Sequence, residues 1–149
     1  ERMMVRLAAL ALQAHQLQTL CNGDATLAFG AGLSDPDDPD ASLTDFTGRK
    51  RVWIEVGQPE DKPLTKACSK ADSVIVYCFT HASEAWWKGI ETKLSRLDKL
   101  HVWRIPSDAA QELAQLAQRS MQLQATVQEG AITLSSTQGS VHVEPLRWK

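Results

Sequence analysis

The chain has 149 residues, a formal net charge of −2 and three cysteines without Cys-x-x-Cys spacing. This length suits one domain with a substantial core, and no apolar run is long enough to cross a membrane. The cysteine pattern argues against a zinc ribbon or a disulfide framework and favours a reducing cytoplasm. The negative net charge shows no overall basic character, so any binding of nucleic acid would depend on a local positive groove.

The chain begins with a predicted amphipathic helix over residues 1–16. Its apolar residues recur at helical spacing, which predicts burial against a sheet. A short strand over 25–29 follows. A loop rich in proline and aspartate, over 34–40, then separates this strand from the next, because proline cannot continue a sheet.

Two strands over 41–46 and 51–56 are predicted to form a hairpin with a tight turn around Gly48. With this turn Asp40 lies opposite Glu55, with Cβ atoms roughly 5 Å apart. Two facing carboxylates repel each other unless a cation or a proton lies between them. The pairing therefore predicts a divalent-metal site, and the alternative is that Asp40 belongs to a solvated acidic loop.

The rest of the chain alternates between helices and strands and ends in a run of strands. The predicted helices cover 63–71, 82–97 and 107–118, and the predicted strands cover 73–79, 100–105, 121–128, 131–136 and 140–144. Ser107 is predicted to cap the last helix. The pattern predicts an α/β fold with a mixed central sheet flanked by helices and with a C-terminal β extension.

Lys62, Lys66 and Lys70 share one face of a predicted helix because they recur every four residues. This row is either a solvated helix face or a set of cations near the Asp40–Glu55 pair. No Gly-x-Ser-x-Gly, P-loop or dinucleotide fingerprint occurs in the sequence, so esterase, NTPase and nucleotide-cofactor functions lack support.

Five segments spread over nearly the whole chain form a specific combination. They are Glu1-Arg-Met-Met4, Trp53-Ile-Glu-Val-Gly-Gln-Pro59, Lys66-Ala-Cys-Ser-Lys-Ala71, Trp86-Trp87 and Met121-Gln-Leu-Gln-Ala-Thr-Val-Gln-Glu-Gly130. Together they resemble the bacterial YaeQ family, which looks like a variant of the PD-(D/E)xK nuclease fold. The resemblance implies a single YaeQ-like domain over 1–149 and a further N-terminal segment before Glu1. It also gives Glu1 a possible role in orienting a metal ligand, and the alternative is a carboxylate favoured near a helix N-terminus.

The resemblance also implies a set of site residues. In the PD-(D/E)xK fold an Asp and a Glu on neighbouring strands hold Mg²⁺ beside a scissile phosphate, with a Lys close by. Asp40 and Glu55 match the two acidic positions and would bind Mg²⁺ or Mn²⁺. Gly57 stands where the Lys is expected, and Lys66 is the candidate replacement. Gln58 would orient a water or contact phosphate, unless it is a surface residue leading into a turn.

The implied function is a metal-dependent nuclease that acts on DNA or RNA. The alternative is a binding module that keeps the nuclease fold without cleavage, which the glycine at position 57 and the acidic net charge favour.

Overall fold

The part of the chain that the computed structural model describes, residues 2–14, 25–30, 38–117 and 122–149, contains four helices and nine strands. The helices are α1 (Arg2–Leu12), α2 (Asp61–Lys70), α3 (Ser83–Leu94) and α4 (Ser107–Gln115). The strands are β1 (Ala25–Phe29), β2 (Ala41–Asp45), β3 (Lys50–Val56), β4 (Ala71–Cys78), β5 (Leu100–Arg104), β6 (Gln124–Gln128), β7 (Ala131–Ser136), β8 (Gly139–Val143) and β9 (Leu146–Arg147). None of these four helices combines the length and the hydropathy needed to cross a bilayer.

Six strands form a central mixed sheet in the order β1-β2-β3-β4-β5-β9. β1, β2 and β3 pair antiparallel, β3, β4 and β5 pair parallel, and β9 pairs antiparallel with β5. Side chains along β3 alternate between the two faces of this sheet, since Ile54 joins one hydrophobic cluster and Trp53 joins the other. The mixed central sheet predicted from the sequence is therefore confirmed.

Helices cover both faces of the central sheet. α1 and α4 lie on one face together with a second, antiparallel sheet of β6, β7 and β8, and α2 and α3 lie on the other face. Leu64 of α2 and Leu113 of α4 are fully buried, and burial of each stabilises the fold by about 1.5–3 kcal/mol. The three predicted C-terminal strands are confirmed, and they pack against α1 and α4.

Two local predictions are wrong. Ser107 does not cap α4, because its hydroxyl donates to the Phe79 carbonyl oxygen at 3.1 Å and accepts from Arg104 Nη2 at 2.7 Å. The residue at the cap position is Pro106, which makes no side-chain cap hydrogen bond. α2 begins at Asp61, two residues before the predicted start at Pro63, so Lys62 lies inside the helix.

The turn between β2 and β3 is longer than predicted, and a β-bulge corrects the register. The Asp45 amide donates to the Arg49 carbonyl oxygen at 3.0 Å, which leaves residues 46–48 in the turn. Thr44 pairs with Lys50, but Leu43 pairs with Val52. Arg51 is therefore the extra residue of a bulge, which offsets the longer turn.

Beyond the bulge the pairing continues in the predicted register. Ser42 pairs with Trp53 and Ala41 pairs with Ile54. The Asp40 amide also donates to the Ile54 carbonyl oxygen, at 2.9 Å. Asp40 therefore follows the same pairing and lies beside Glu55, although the tight turn that suggested this pairing does not form.

Candidate functional site

Asp40 lies where β2 begins and β3 ends. The Val56 amide donates to Asp40 Oδ2 at 2.8 Å, so the carboxylate is fixed at the carboxyl end of β3. The carboxyl end of the parallel strand β4 lies beside it, because the Gly57 amide donates to the Tyr77 carbonyl oxygen at 2.9 Å. The carboxyl ends of parallel strands are the usual location of ligand sites in open α/β sheets.

Two arginines of α1 bind the Asp40 carboxylate. Arg2 Nη2 donates to Asp40 Oδ1 at 3.0 Å and to Oδ2 at 3.1 Å. Arg6 Nε lies 3.3 Å from Asp40 Oδ1, and Arg6 Nη2 donates to the Asp40 backbone oxygen at 2.9 Å. Asp40 is only 3% exposed, and a charge buried to this degree requires paired and hydrogen-bonded partners.

Sequence reasoning missed these two arginines. The available signal was their spacing, since residues four apart on a helix lie on the same face. Arg2 and Arg6 interrupt the apolar pattern of α1 at this spacing, and the facing carboxylates predicted at Asp40 and Glu55 needed a counter-charge. Glu1, which the resemblance placed near the metal, lies outside the described residues.

Glu55 is the more accessible carboxylate of the pair. Trp53 Nε1, from the same face of β3, donates to Glu55 Oε1 at 2.8 Å. Burial is the main reason that the pKa of Glu55 rises to about 7. The neighbouring Asp40 carboxylate also raises this pKa, whereas the Trp53 hydrogen bond and the charge of Arg2 lower it. The structure therefore brings Asp40 and Glu55 close enough to interact, and near pH 7 a large fraction of Glu55 carries a proton.

A groove of about 230 Å³ opens beside Glu55, on the side of α2. The residues that line this lysine groove are Trp53, Glu55, Lys62, Pro63, Lys66, Ala67 and Lys70. Lys70 Nζ lies 5.9 Å from the centre of the Trp53 ring, which is within cation–π range. The row of three lysines thus shares a groove with Glu55, although each lysine keeps an exposed side chain.

The other two predicted positions differ from the expected motif. Gly57 has a φ of +117°, in a region that side-chain-bearing residues rarely adopt. Gln58 is half-buried and does not line the lysine groove. The structure therefore brings Asp40, Glu55 and Lys66 into one region, and it leaves Gln58 outside the groove.

The carboxylate pair matches the ligand preference of magnesium only in part. No group of three or more His, Cys, Asp or Glu side chains that could hold a metal occurs within the described ranges. Mg²⁺ commonly takes one or two protein carboxylates and fills its other positions with water and phosphate oxygens. Two carboxylates therefore fit Mg²⁺, with Glu55 as the accessible ligand, while the arginines compete for the oxygens of Asp40.

The chain is similar to bacterial proteins over nearly its whole length. A family model described as YaeQ protein matches residues 1–145. The chain is 33% identical to the uncharacterized protein YaeQ of Salmonella typhi, and 32% identical to the uncharacterized protein YaeQ of Escherichia coli strain K12. Both alignments extend over 150 residues and cover 100% of this chain and 78% of the relative.

Solved structures of two similar proteins have the same fold. The YaeQ protein from Xanthomonas axonopodis pv. citri matches with a TM-score of 0.83 and 32% identity, over 99% of this chain and 79% of the other. The YaeQ protein from Pseudomonas syringae matches with a TM-score of 0.86 and 26% identity, over 99% and 77%. The family expected from the sequence segments is confirmed, and the chain belongs to the YaeQ family.

Proposed function

We propose that the protein acts on DNA or RNA as a Mg²⁺-dependent phosphodiesterase, with Mn²⁺ as an alternative metal. One observation carries the proposal: Asp40 and Glu55, from neighbouring strands, lie together beside a groove lined by three lysines. A mixed sheet with two carboxylates at the carboxyl end of a strand is also similar to the PD-(D/E)xK nuclease core, which supports the same proposal.

Each residue of the site has a role that follows from its contacts. Glu55 would hold the cation through a carboxylate oxygen after losing its proton, and the Trp53 hydrogen bond fixes the orientation of this carboxylate. Asp40 would be the second ligand, and Arg2 and the Val56 amide hold it in place. When bound, the metal would supply activation of a water and would offset charge on the phosphate.

The lysine groove supplies the affinity for substrate. Three cations along one helix face attract the phosphate backbone independently of base sequence. Successive lysines lie about 6 Å apart along the helix axis, since the rise is about 1.5 Å per residue. This spacing allows them to contact successive phosphates of one strand, with Lys66 in the middle of the row.

A binding module without cleavage is the second candidate, and the contacts of Asp40 favour it. Its two oxygens already accept hydrogen bonds from Arg2 and Val56, and Arg6 lies beside them. A metal would have to compete with these donors. Such a protein would bind the phosphate backbone in the lysine groove and leave it intact.

Cleavage assays on single- and double-stranded DNA and RNA, with Mg²⁺ or Mn²⁺, separate the two candidates. We expect the wild type to cleave at least one of these forms, and Glu55→Ala to lose about 100-fold or more of the rate. Binding of the same oligonucleotides in Ca²⁺ should survive this substitution, because the lysine groove remains. A wild type that binds but never cleaves supports the binding module, and one that neither binds nor cleaves contradicts both candidates.

A further inference from the structure

A side chain is disfavoured at residue 57, the position where the motif has its lysine. Gly57 adopts a φ of +117°, which strains every residue that carries a Cβ. A Cβ added to Gly57 would also lie 3.0 Å from Arg2 Nη1 and 4.0 Å from Arg2 Cζ. The guanidinium of Arg2, from another part of the chain, therefore lies where a side chain at residue 57 would begin.

The guanidinium of Arg2 is only partly used by its contacts with Asp40. Both of these hydrogen bonds come from Nη2, and within the described residues Nη1 makes none. The Arg2 side chain is 37% exposed, so a ligand can reach it. Its charge also acts on Glu55, whose pKa it lowers. One planar group can hold Asp40 with one nitrogen and donate to a phosphate oxygen with the other.

Arg6, on the same helix, differs from Arg2 in its contacts. Its Nη2 donates to the Asp40 backbone oxygen at 2.9 Å, and its Nε lies 3.3 Å from Oδ1. The guanidinium also lies 5.3 Å from the centre of the Phe29 ring. Arg6 therefore holds the backbone and side chain of Asp40, and it does not approach residue 57.

We infer that Arg2 supplies the cation of the absent motif lysine, donating from Nη1 to an oxygen of the phosphodiester that is bound at Glu55. This inference rests on the proposed function, and it assigns to α1 a role that the motif gives to a strand residue. Lys66 and its neighbours then bind the flanking backbone. Arg2 contacts the reacting phosphate.

Fluorescence anisotropy of a short labelled single-stranded DNA, in Ca²⁺ to prevent cleavage, tests the contact without depending on activity. We expect Arg2→Gln to weaken binding about tenfold, as for the loss of a charged hydrogen bond. The matched control is Arg6→Gln, which also removes a partner of Asp40, and it should weaken binding less than about threefold. In Mg²⁺, Arg2→Gln should raise KM and also lower kcat, because this guanidinium would contact the reacting phosphate, whereas Lys66→Gln should raise KM alone.

Three results would overturn the inference. Arg2→Gln could bind as tightly as the wild type, which would leave the proposed function intact. Arg2→Gln and Arg6→Gln could weaken binding equally, which would show that Arg2 acts only through Asp40. A wild type that binds no oligonucleotide would remove the proposed function and this inference together.

A further variant covers the case in which Arg2→Gln does not fold. Arg2→Lys keeps a positive charge opposite Asp40 but replaces the planar fork with a point charge that cannot serve two acceptors in the same geometry. We expect it to fold, as monitored by circular dichroism, and to bind the oligonucleotide more weakly than the wild type. Wild-type affinity in this variant would contradict the inference.

Discussion

The two sides of the Asp40–Glu55 pair present different cations and different access to solvent. On the side of α1, Arg2 and Arg6 bind a carboxylate that is 3% exposed. On the side of α2, the lysine groove is open and faces Glu55. The planar guanidinium suits a fixed, partly buried ion pair, whereas the hydrated ammonium of lysine suits a mobile contact at an open surface. The α1 side therefore fixes the site and leaves only part of Arg2 accessible to a ligand, whereas the whole α2 side is open.

The largest expected effect comes from removing the buried charge on the α1 side. Asp40→Ala leaves Arg2 and the Val56 amide without their acceptor, and it removes the carboxylate beside Arg6, which keeps only the backbone oxygen of residue 40. We expect a loss of about 3 kcal/mol in the free energy of unfolding, as for breaking a buried ion pair. Urea denaturation measures this loss.

Glu55→Ala is the control, because it removes the neighbouring carboxylate without unpairing an arginine. It should cost less than Asp40→Ala at pH 8. Equal losses in the two variants would mean that the arginines do not distinguish the two sides of the pair.

The next effect is a pH dependence that belongs to Glu55. Its pKa rises from an ordinary 4.5 to about 7, so the folded protein binds this proton more tightly than the unfolded chain does. The stabilisation is fully present below about pH 4.5 and is lost as the pH rises through about 7. The part of this stabilisation that is lost between pH 5 and pH 8 amounts to roughly 2–3 kcal/mol.

Denaturation at pH 5 and pH 8 measures this dependence. Wild type should lose more stability than Glu55→Gln between these two values, because the variant has no proton to release at this position. Parallel pH profiles for the two proteins would contradict the raised pKa.

A smaller effect is expected from the cation itself. Mg²⁺ that binds only the folded state at ten times its Kd would stabilise the protein by about 1.4 kcal/mol. Because the metal competes with the proton of Glu55, the rise in Tm should be larger at pH 8 than at pH 6. Differential scanning fluorimetry with Mg²⁺ or Mn²⁺ measures it, and Glu55→Gln should respond less. An equal response would place the metal elsewhere.

The smallest effect on stability should come from the lysine groove. Lys66→Ala is expected to change the free energy of unfolding by less than about 0.5 kcal/mol, as for exposed positions. It should instead weaken oligonucleotide binding and reduce the slope of log K against log salt by roughly 0.7, the value for one phosphate of a single strand. Lys88→Ala, on the exposed surface of α3, is the matched control and should leave the slope unchanged.

The strands that build the site were predictable because their patterns are local. The period of two over residues 51–56, in which β-branched residues alternate with Arg51, Trp53 and Glu55, predicted β3. The pairing of Asp40 with Glu55 followed from the expected register. The correct pairing depended on two compensating differences, a longer turn at 46–48 and the bulge at Arg51. Neither had a clear signal in the sequence, because a bulge depends on how the two strands twist against each other.

Of the cations around the site, the lysines could be predicted from the sequence and the arginines could not. The lysine row has a helical period, so its shared face could be predicted from the sequence, although the groove beside it could not. Arg2 and Arg6 reach Asp40 across more than thirty residues of sequence, and no local pattern encodes such a contact. The short strand β9 was missed for a similar reason, since two residues carry no alternation.

Residues 146–149 cover the edge of the central sheet that β5 would otherwise expose. β9 covers Trp103 and Arg104 of β5, and the Trp148 amide donates to the Val102 carbonyl oxygen at 2.8 Å. The Trp148 ring stacks on Trp87 with centroids 6.4 Å apart, which anchors this segment to α3. An uncovered parallel strand would offer its backbone groups to a strand from another chain. By pairing with β5, these few residues therefore disfavour intermolecular sheet formation at this edge.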